Sequence, residues 1–209
     1  MNFSEELQEL RKKSKKRNFD QTLDLIINLK NFDPRREALS IFVILPNISK
    51  KKNICAFLEH PSKTVDYVIT KEDIDKISSK DVKKLVKEYD FFIANAKLMP
   101  KIASKFGKVL GSAGKMPDPK IGGVLAQETD ETISSSIKKI SSIVKIRLKE
   151  ASIKIGIGKE SMFDEDLVKN ADVALETIIK ALPKKEINVR SVLLKFTMSP
   201  PVKIKKQKK

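Results

Sequence analysis

Apolar and polar positions alternate strictly between residues 22 and 29, with Leu23, Leu25, Ile27 and Leu29 on one side and Thr22, Asp24 and Asn28 mostly on the other. A period of two predicts a strand with one buried face. Ahead of it, Ser4 followed by Glu5, Glu6, Leu7 and Leu10 predicts a helix that runs into a basic stretch and ends near Arg17. Asp33-Pro34 predicts a turn, and residues 39–45 a second strand stopped by Pro46. The texture then changes. Short, continuously apolar runs at 54–58, 67–69 and 91–94 alternate with helical patterns around 81–88 and 99–106. Such runs predict parallel strands covered on both faces, built from strand-helix-strand units as a small doubly wound domain. After Ile140 the half-polar alternation returns, with a strand at 151–156, a long helix at 164–182 ended by Pro183, and a strand at 189–197. In the last strand Val192, Leu194 and Phe196 form an apolar face, while Ser191, Lys195 and Thr197 point the other way. The two chain ends therefore resemble each other more than either resembles the middle.

Charge changes this picture by naming a class of partner. The 209 residues carry 43 Lys plus Arg against 27 Asp plus Glu, a formal +16. Six of the seven residues 11–17 and five of the seven residues 203–209 are basic. Such a surplus repels itself in the compact state, and a polyphosphate partner relieves the repulsion while releasing counterions, without any particular base sequence. A solubilising tail or the Lys/Glu-rich surface of a heat-adapted protein would have the same composition, so charge sets the partner class and nothing finer. The segments 1–48 and 142–209 hold +10 of the net charge and 49–141 holds +6, which makes the ends the stronger phosphate binder. No apolar run approaches a membrane span and no signal core follows the N-terminus, so a cytoplasmic location is expected.

Catalytic and metal chemistry is sparse. Cys55 is the single cysteine and His60 the single histidine. This excludes an internal disulfide and His-paired or Cys-based metal sites, and no cofactor or metal is expected. Cys55 reads as a small core residue and His60 as an exposed strand-to-loop exit. The segments Gly111-Ser112-Ala113-Gly114-Lys115-Met116 and Gly156-Ile157-Gly158-Lys159-Glu160-Ser161 have the wrong glycine spacing for a nucleotide phosphate loop and lack its Ser or Thr after Lys. Asp164-Glu165-Asp166 reads as a favourable helix N-terminus. Residues 111–120, with two glycines and with Pro117 and Pro119, predict a shaped, stiff loop.

Asp90-Phe91-Phe92-Ile93-Ala94, then Leu98-Met99-Pro100, then Gly114-Lys115-Met116-Pro117 resemble the archaeal branch of the universal large-subunit ribosomal protein one family, the protein of the mobile lateral stalk. Arg17-Asn18-Phe19 with Gln21, Asp33 with Arg35-Arg36, residues 43–46, Gly158-Lys159, and Thr197-Met198 with Pro200 follow in family order over nearly the whole chain. Asn18 and Gln21 fit the archaeal branch and not the bacterial one.

The resemblance implies an α/β protein of two domains. Residues 1–48 and 142–209 would form a discontinuous, α+β split ferredoxin-like RNA-binding domain, and 49–141 an inserted Rossmann-like three-layer α/β domain. It implies RNA contact by Phe19, Thr22, Lys159 of a Gly-Lys loop, Ser191, Thr197 and Met198, with Arg17, Asn18, Gln21, Lys195 and Ser199 completing the candidate site. Short hydroxyls on the polar strand face suit 2′-hydroxyl and phosphate oxygens. Several positions depart from the family. Ser199 replaces a glycine, and would either add a hydroxyl contact or loosen the fit. Ser112-Ala113 replaces Pro-Arg and Asn47-Ile48 replaces His-Gly, which bear on the middle-domain loop and the hinge.

The expected function is then a non-enzymatic structural protein that binds large-subunit rRNA at the stalk. The resemblance also implies that it assists release of exit-site tRNA, represses translation of its own mRNA, contacts other ribosomal components and is a monomer when free. Two other classes compete. A phosphate-ligand transferase would use the strand ends of the middle domain with 111–120 as cradle, and a DNA-coating protein would need only the charge.

Overall fold

The computed structural model describes residues 3–34, 39–47, 52–62, 64–148 and 150–205. Its elements are, in chain order, α1 (Phe3–Lys13), β1 (Thr22–Leu29), β2 (Ser40–Ile44), β3 (Ile54–Leu58), β4 (Tyr67–Thr70), α2 (Lys71–Lys76) and α3 (Ser79–Glu88). They continue with β5 (Phe91–Asn95), α4 (Met99–Ala113), β6 (Val124–Leu125), α5 (Asp130–Ser142) and β7 (Ile143–Arg147). The last are β8 (Ser152–Lys159), α6 (Asp164–Ala181), β9 (Val189–Phe196) and β10 (Val202–Lys203). The protein is of mixed α/β class, and its chain divides into two compact units, 1–50 with 142–209, and 51–141.

The unit made by both ends holds a four-stranded antiparallel sheet in the order β10-β9-β1-β8 and an antiparallel ribbon of β2 with β7. The alternation of β1 is realised residue by residue: Leu23, Leu25, Ile27 and Leu29 are buried, and the intervening positions are half-exposed. Those residues share a core with Phe3, Leu7 and Leu10 of α1 and with Leu167, Ala171, Ala174 and Ile178 of α6. Both helices of this unit thus lie on one side of the sheet. Its other face carries Thr22, Asp24 and Asn28 from β1 and Ser191, Lys195 and the neighbouring Thr197 from β9.

The unit of residues 51–141 is a parallel sheet in the order β4-β3-β5-β6. Every residue of β3 is buried because the sheet is covered on both sides. Cys55 and Phe57 pack with Ile74, Val82, Ile102 and Phe106 of α2, α3 and α4. Ile54, Ala56 and Leu58 pack with Ile133 and Ile140 of α5. Cys55 is a core residue whose thiol is pushed up to about 12 by burial. His60 is exposed.

Three expectations need correction, and five elements had no counterpart among them. The first helix stops at Lys13, not near Arg17, leaving Ser14 to Arg17 as irregular chain. Residues 111–113 are the last turn of α4, which ends on Gly114 in the left-handed region (φ 69°), so the shaped segment is shorter than 111–120. The strand expected at 151–156 continues through Lys159, so Gly158-Lys159 closes a strand and is not a loop. The sequence pattern does not mark α2, α5, β6, β7 and β10. In α5, five serines dilute the apolar period of Ile133, Ile137 and Ile140. Arg35, Arg36, Ile48 and the basic residues Lys206, Lys208 and Lys209 lie outside the described residues.

Candidate nucleic-acid interface

One end of the four-stranded sheet gathers three segments distant in sequence: residues 14–22, 159–163 and 196–200. Their junction is built on Gln21, whose side chain is fully buried (0% exposed). Gln21 Nε2 donates to Glu160 Oε2 (3.1 Å) and Ser14 Oγ (3.3 Å), while its Oε1 accepts from the Met198 backbone N–H (3.1 Å). The Glu160 N–H in turn donates to the Gln21 carbonyl (2.8 Å). Asp20 accepts from the Ser161 N–H (3.1 Å) and hydroxyl (2.9 Å), closing the same junction from outside.

On this frame stand groups that face solvent. Phe19 is 52% exposed, Met198 59% and Phe163 81%, an unusual apolar set for the surface of a polar sheet end. Lys16, Arg17 and Asn18 are exposed and line a shallow cleft with Phe19 and Glu160. Lys159 Nζ donates to the Asp20 carbonyl (3.3 Å) and to Thr22 Oγ1 (3.1 Å). Thr197 Oγ1 accepts from the Thr22 N–H (3.0 Å), and the Thr197 N–H donates to the Thr22 carbonyl (3.1 Å). Lys195 sits in register with Asp24. Burial raises the Asp24 carboxyl above the ordinary carboxylate range, with Lys195 and then Lys159 partly offsetting it.

Arg17, Asn18, Phe19, Thr22, Lys159, Lys195, Thr197 and Met198 are therefore brought to one sheet end with outward-facing atoms. Three candidates are placed otherwise. Gln21 is a positioning residue because its amide is consumed inside the junction. Ser199 is 6% exposed and its hydroxyl accepts from the Phe196 N–H (2.9 Å), so the side chain that replaces glycine folds inward and neither reaches solvent nor fills the approach path. Ser191 lies six residues from Thr197 along β9, about 20 Å at strand rise. There its hydroxyl accepts from Asn28 Nδ2 (3.0 Å), beside a cleft lined by Arg190 and Lys203.

Within the basic run 11–17, Lys13 is ion-paired with Glu9 one turn back, and Arg11 is not available to phosphate. Arg11 donates to Asp164 Oδ1 (2.8 Å) and to the Glu160 and Met162 carbonyls (3.0 and 3.2 Å), welding the end of α1 to the start of α6. Sequence reasoning missed Phe163. Its signal was chemical: it occupies the N-cap of α6, where a Ser, Thr, Asp or Asn would satisfy the helix, and it makes no capping bond. Asn47, one of the departing positions, has its backbone N–H and carbonyl both held by the buried amide of Asn170 (3.0 Å each).

In the inserted unit, the groups a phosphate cradle would need are committed. Lys115 Nζ donates to the Val86 and Tyr89 carbonyls (2.7 and 2.6 Å), satisfying the end of α3. At the carboxyl ends of β3 and β5, where doubly wound sheets hold ligands, Glu128 accepts from the Glu59 and His60 N–H groups (2.7 and 3.2 Å) and from Asn95 Nδ2 (2.6 Å). The protein's own carboxylate fills that crevice. No group of metal-binding side chains occurs among the described residues, and none of their helices is long and apolar enough to cross a membrane.

Residues 10–200 match the ribosomal protein L1p/L10e family. Curated relatives include the large ribosomal subunit protein uL1 of Nanoarchaeum equitans, 38% identical over 92% of this chain and 95% of the relative. The uL1 of Thermococcus kodakarensis is 35% identical over 97% and 96%, and that of Methanothermococcus thermolithotrophicus 33% identical over 98% of each chain.

Proposed function

We propose that this chain, which belongs to the ribosomal protein L1p/L10e family, binds large-subunit rRNA at the lateral stalk through the sheet end formed by residues 14–22, 159–163 and 196–200. It acts there as a structural protein in cytoplasmic ribosomes. The observation that carries the reading is the pairing of exposed apolar side chains, Phe19 and Met198, with exposed cations on a frame held rigid from behind by a buried Gln21. Such a surface suits unstacked bases and sugars flanked by phosphate, because RNA is read chiefly by stacking and by 2′-hydroxyl and backbone contacts. A catalytic reading has little to stand on: Lys115 and Glu128, the best-placed groups of the inserted unit, are bound to the protein's own backbone.

The RNA-binding domain is residues 1–48 with 142–209, and 49–141 is its insertion. From the family we further infer contact with other ribosomal components, assistance in exit-site tRNA release, repression of the protein's own mRNA through a stalk-like hairpin, and a monomeric free state. The test is Thr197→Ala. Its hydroxyl sits at an exposed edge, so removal should weaken binding to a stalk rRNA fragment while moving the melting temperature by no more than the equivalent of about 1 kcal/mol. Unchanged affinity with a large loss of stability would reassign Thr197 to structure and reject this site.

A further inference from the structure

We propose that the solvent face of α3, together with Lys108 of the adjoining α4, is a second RNA-backbone contact surface, carried by the inserted unit. Lys80, Lys83, Lys84 and Lys87 fall at i, i+3, i+4 and i+7, which places them on one side of the helix. Val82 is buried on the opposite side, and all four lysines are exposed. Like charges four apart destabilise a helix, so an unbalanced row needs a reason outside it. Balance is only partial here, with Glu88 four residues after Lys84 at the side of the row. The Asp81 carboxylate is taken up by the cap at Ser78, accepting from its N–H (3.3 Å) and hydroxyl (2.6 Å), and Lys84 approaches it only to 4.0 Å. Among the described residues Lys80, Lys83, Lys87 and Lys108 have no ion-pair or hydrogen-bond partner.

The neighbouring helix reinforces the field. Residues 99–113 contain no acid. Lys101 and Lys105 are turned onto Asp75 and the α2 carbonyls, whereas Lys108 is exposed among Ser104, Gly107, Gly111 and Ser112, with open space at both glycines. A Lys-rich surface made for heat tolerance interleaves acids in ion-pair networks; here the acids of α3, Asp81 and Glu88, lie to the side of Lys84, and Lys80, Lys83 and Lys87 pair with neither. Lys80 to Lys87 span about 10 Å at helical rise, the length of roughly three nucleotide steps. The occupant with matching charge is a phosphate backbone, and taking it as RNA rests on the function proposed above.

The test uses the full chain and a labelled oligouridine, titrated from about 50 to 200 mM salt. Lys80→Gln, Lys83→Gln, Lys87→Gln and Lys108→Gln combined should weaken binding about tenfold and flatten the log-log salt slope by about 3, near 0.7 per lost contact on single strands. Gln matches Lys in helix propensity, so the variant should melt like the wild type. A control with the same charge change elsewhere, Lys71→Gln, Lys138→Gln, Lys169→Gln and Lys184→Gln, should lose far less. Equal losses in both variants, or none in the first, would overturn the proposal, as would displacement of oligouridine by polyglutamate at equal charge concentration, which would indicate an acidic protein as occupant. Thr197→Ala should leave oligouridine binding by this face in place. Its failure to weaken the stalk fragment would reject the sheet-end site alone.

Discussion

Gln21 and Phe19 stand two residues apart and should fail in opposite ways. Gln21→Ala strips the Met198 N–H and Glu160 carboxylate of a partner inside the junction, and should cost about 2–3 kcal/mol, seen as a lowered melting temperature. Phe19→Ala removes a ring that is more than half exposed, and should leave melting unchanged while lowering affinity for the stalk fragment. Asp24 adds a pH signature. Its carboxyl titrates above the ordinary 3.8 because burial disfavours the charge. A carboxyl whose folded pKa exceeds its unfolded one favours the fold only while protonated, and the benefit is lost as pH rises from 3.8 through the folded value. Asp24→Asn should therefore match the wild type in acid and be the more stable at neutral pH, as measured by melting across a pH series.

At the scale of elements, close approach between α6 and β8 decides what Gly158 is for. A Cβ built there would lie 2.1 Å from Leu167 Cδ2, so the glycine of the Gly-Lys pair lets a helix pack and does not cradle phosphate. Gly158→Ala should force Leu167 to move and destabilise by about 1–3 kcal/mol, checked by chemical denaturation. Strands with a clean period, such as β1 and β9, were legible from residues alone because one face meets solvent. The ribbon strand β7 was not: Ile143, Val144 and Ile146 break the alternation, and only pairing with β2 makes the segment a strand. The buried parallel strands were legible for a different reason, being continuous apolar runs too short for helices.

Across the whole molecule, the +16 charge sets how binding answers to salt. With about six phosphates neutralised, log affinity for a stalk fragment should fall with log salt at a slope near −4 to −5, measured by titration at several ionic strengths. A flat response would show that hydroxyl and apolar contacts carry the affinity. The basic ends are not uniform reservoirs of charge, however. Arg11 is bound to Asp164, and the backbone N–H of Lys205 donates to Glu6 Oε1 (3.1 Å), whereas Lys16 and Arg17 are open.

The linear chain by itself determined the faces of β1 and β9 and the doubly wound character of the middle, since hydrophobic period is a local quantity, while its additive net charge pointed to an anionic partner. Only the tertiary structure decided which polar groups remain for a ligand. Gln21, Ser199, Arg11 and Lys115 all read as candidate chemistry or plain surface until neighbours, some more than a hundred residues away, consume their hydrogen bonds. Periodicity records which way a side chain points, but a hydrogen bond depends on what the fold brings within about 3 Å of it.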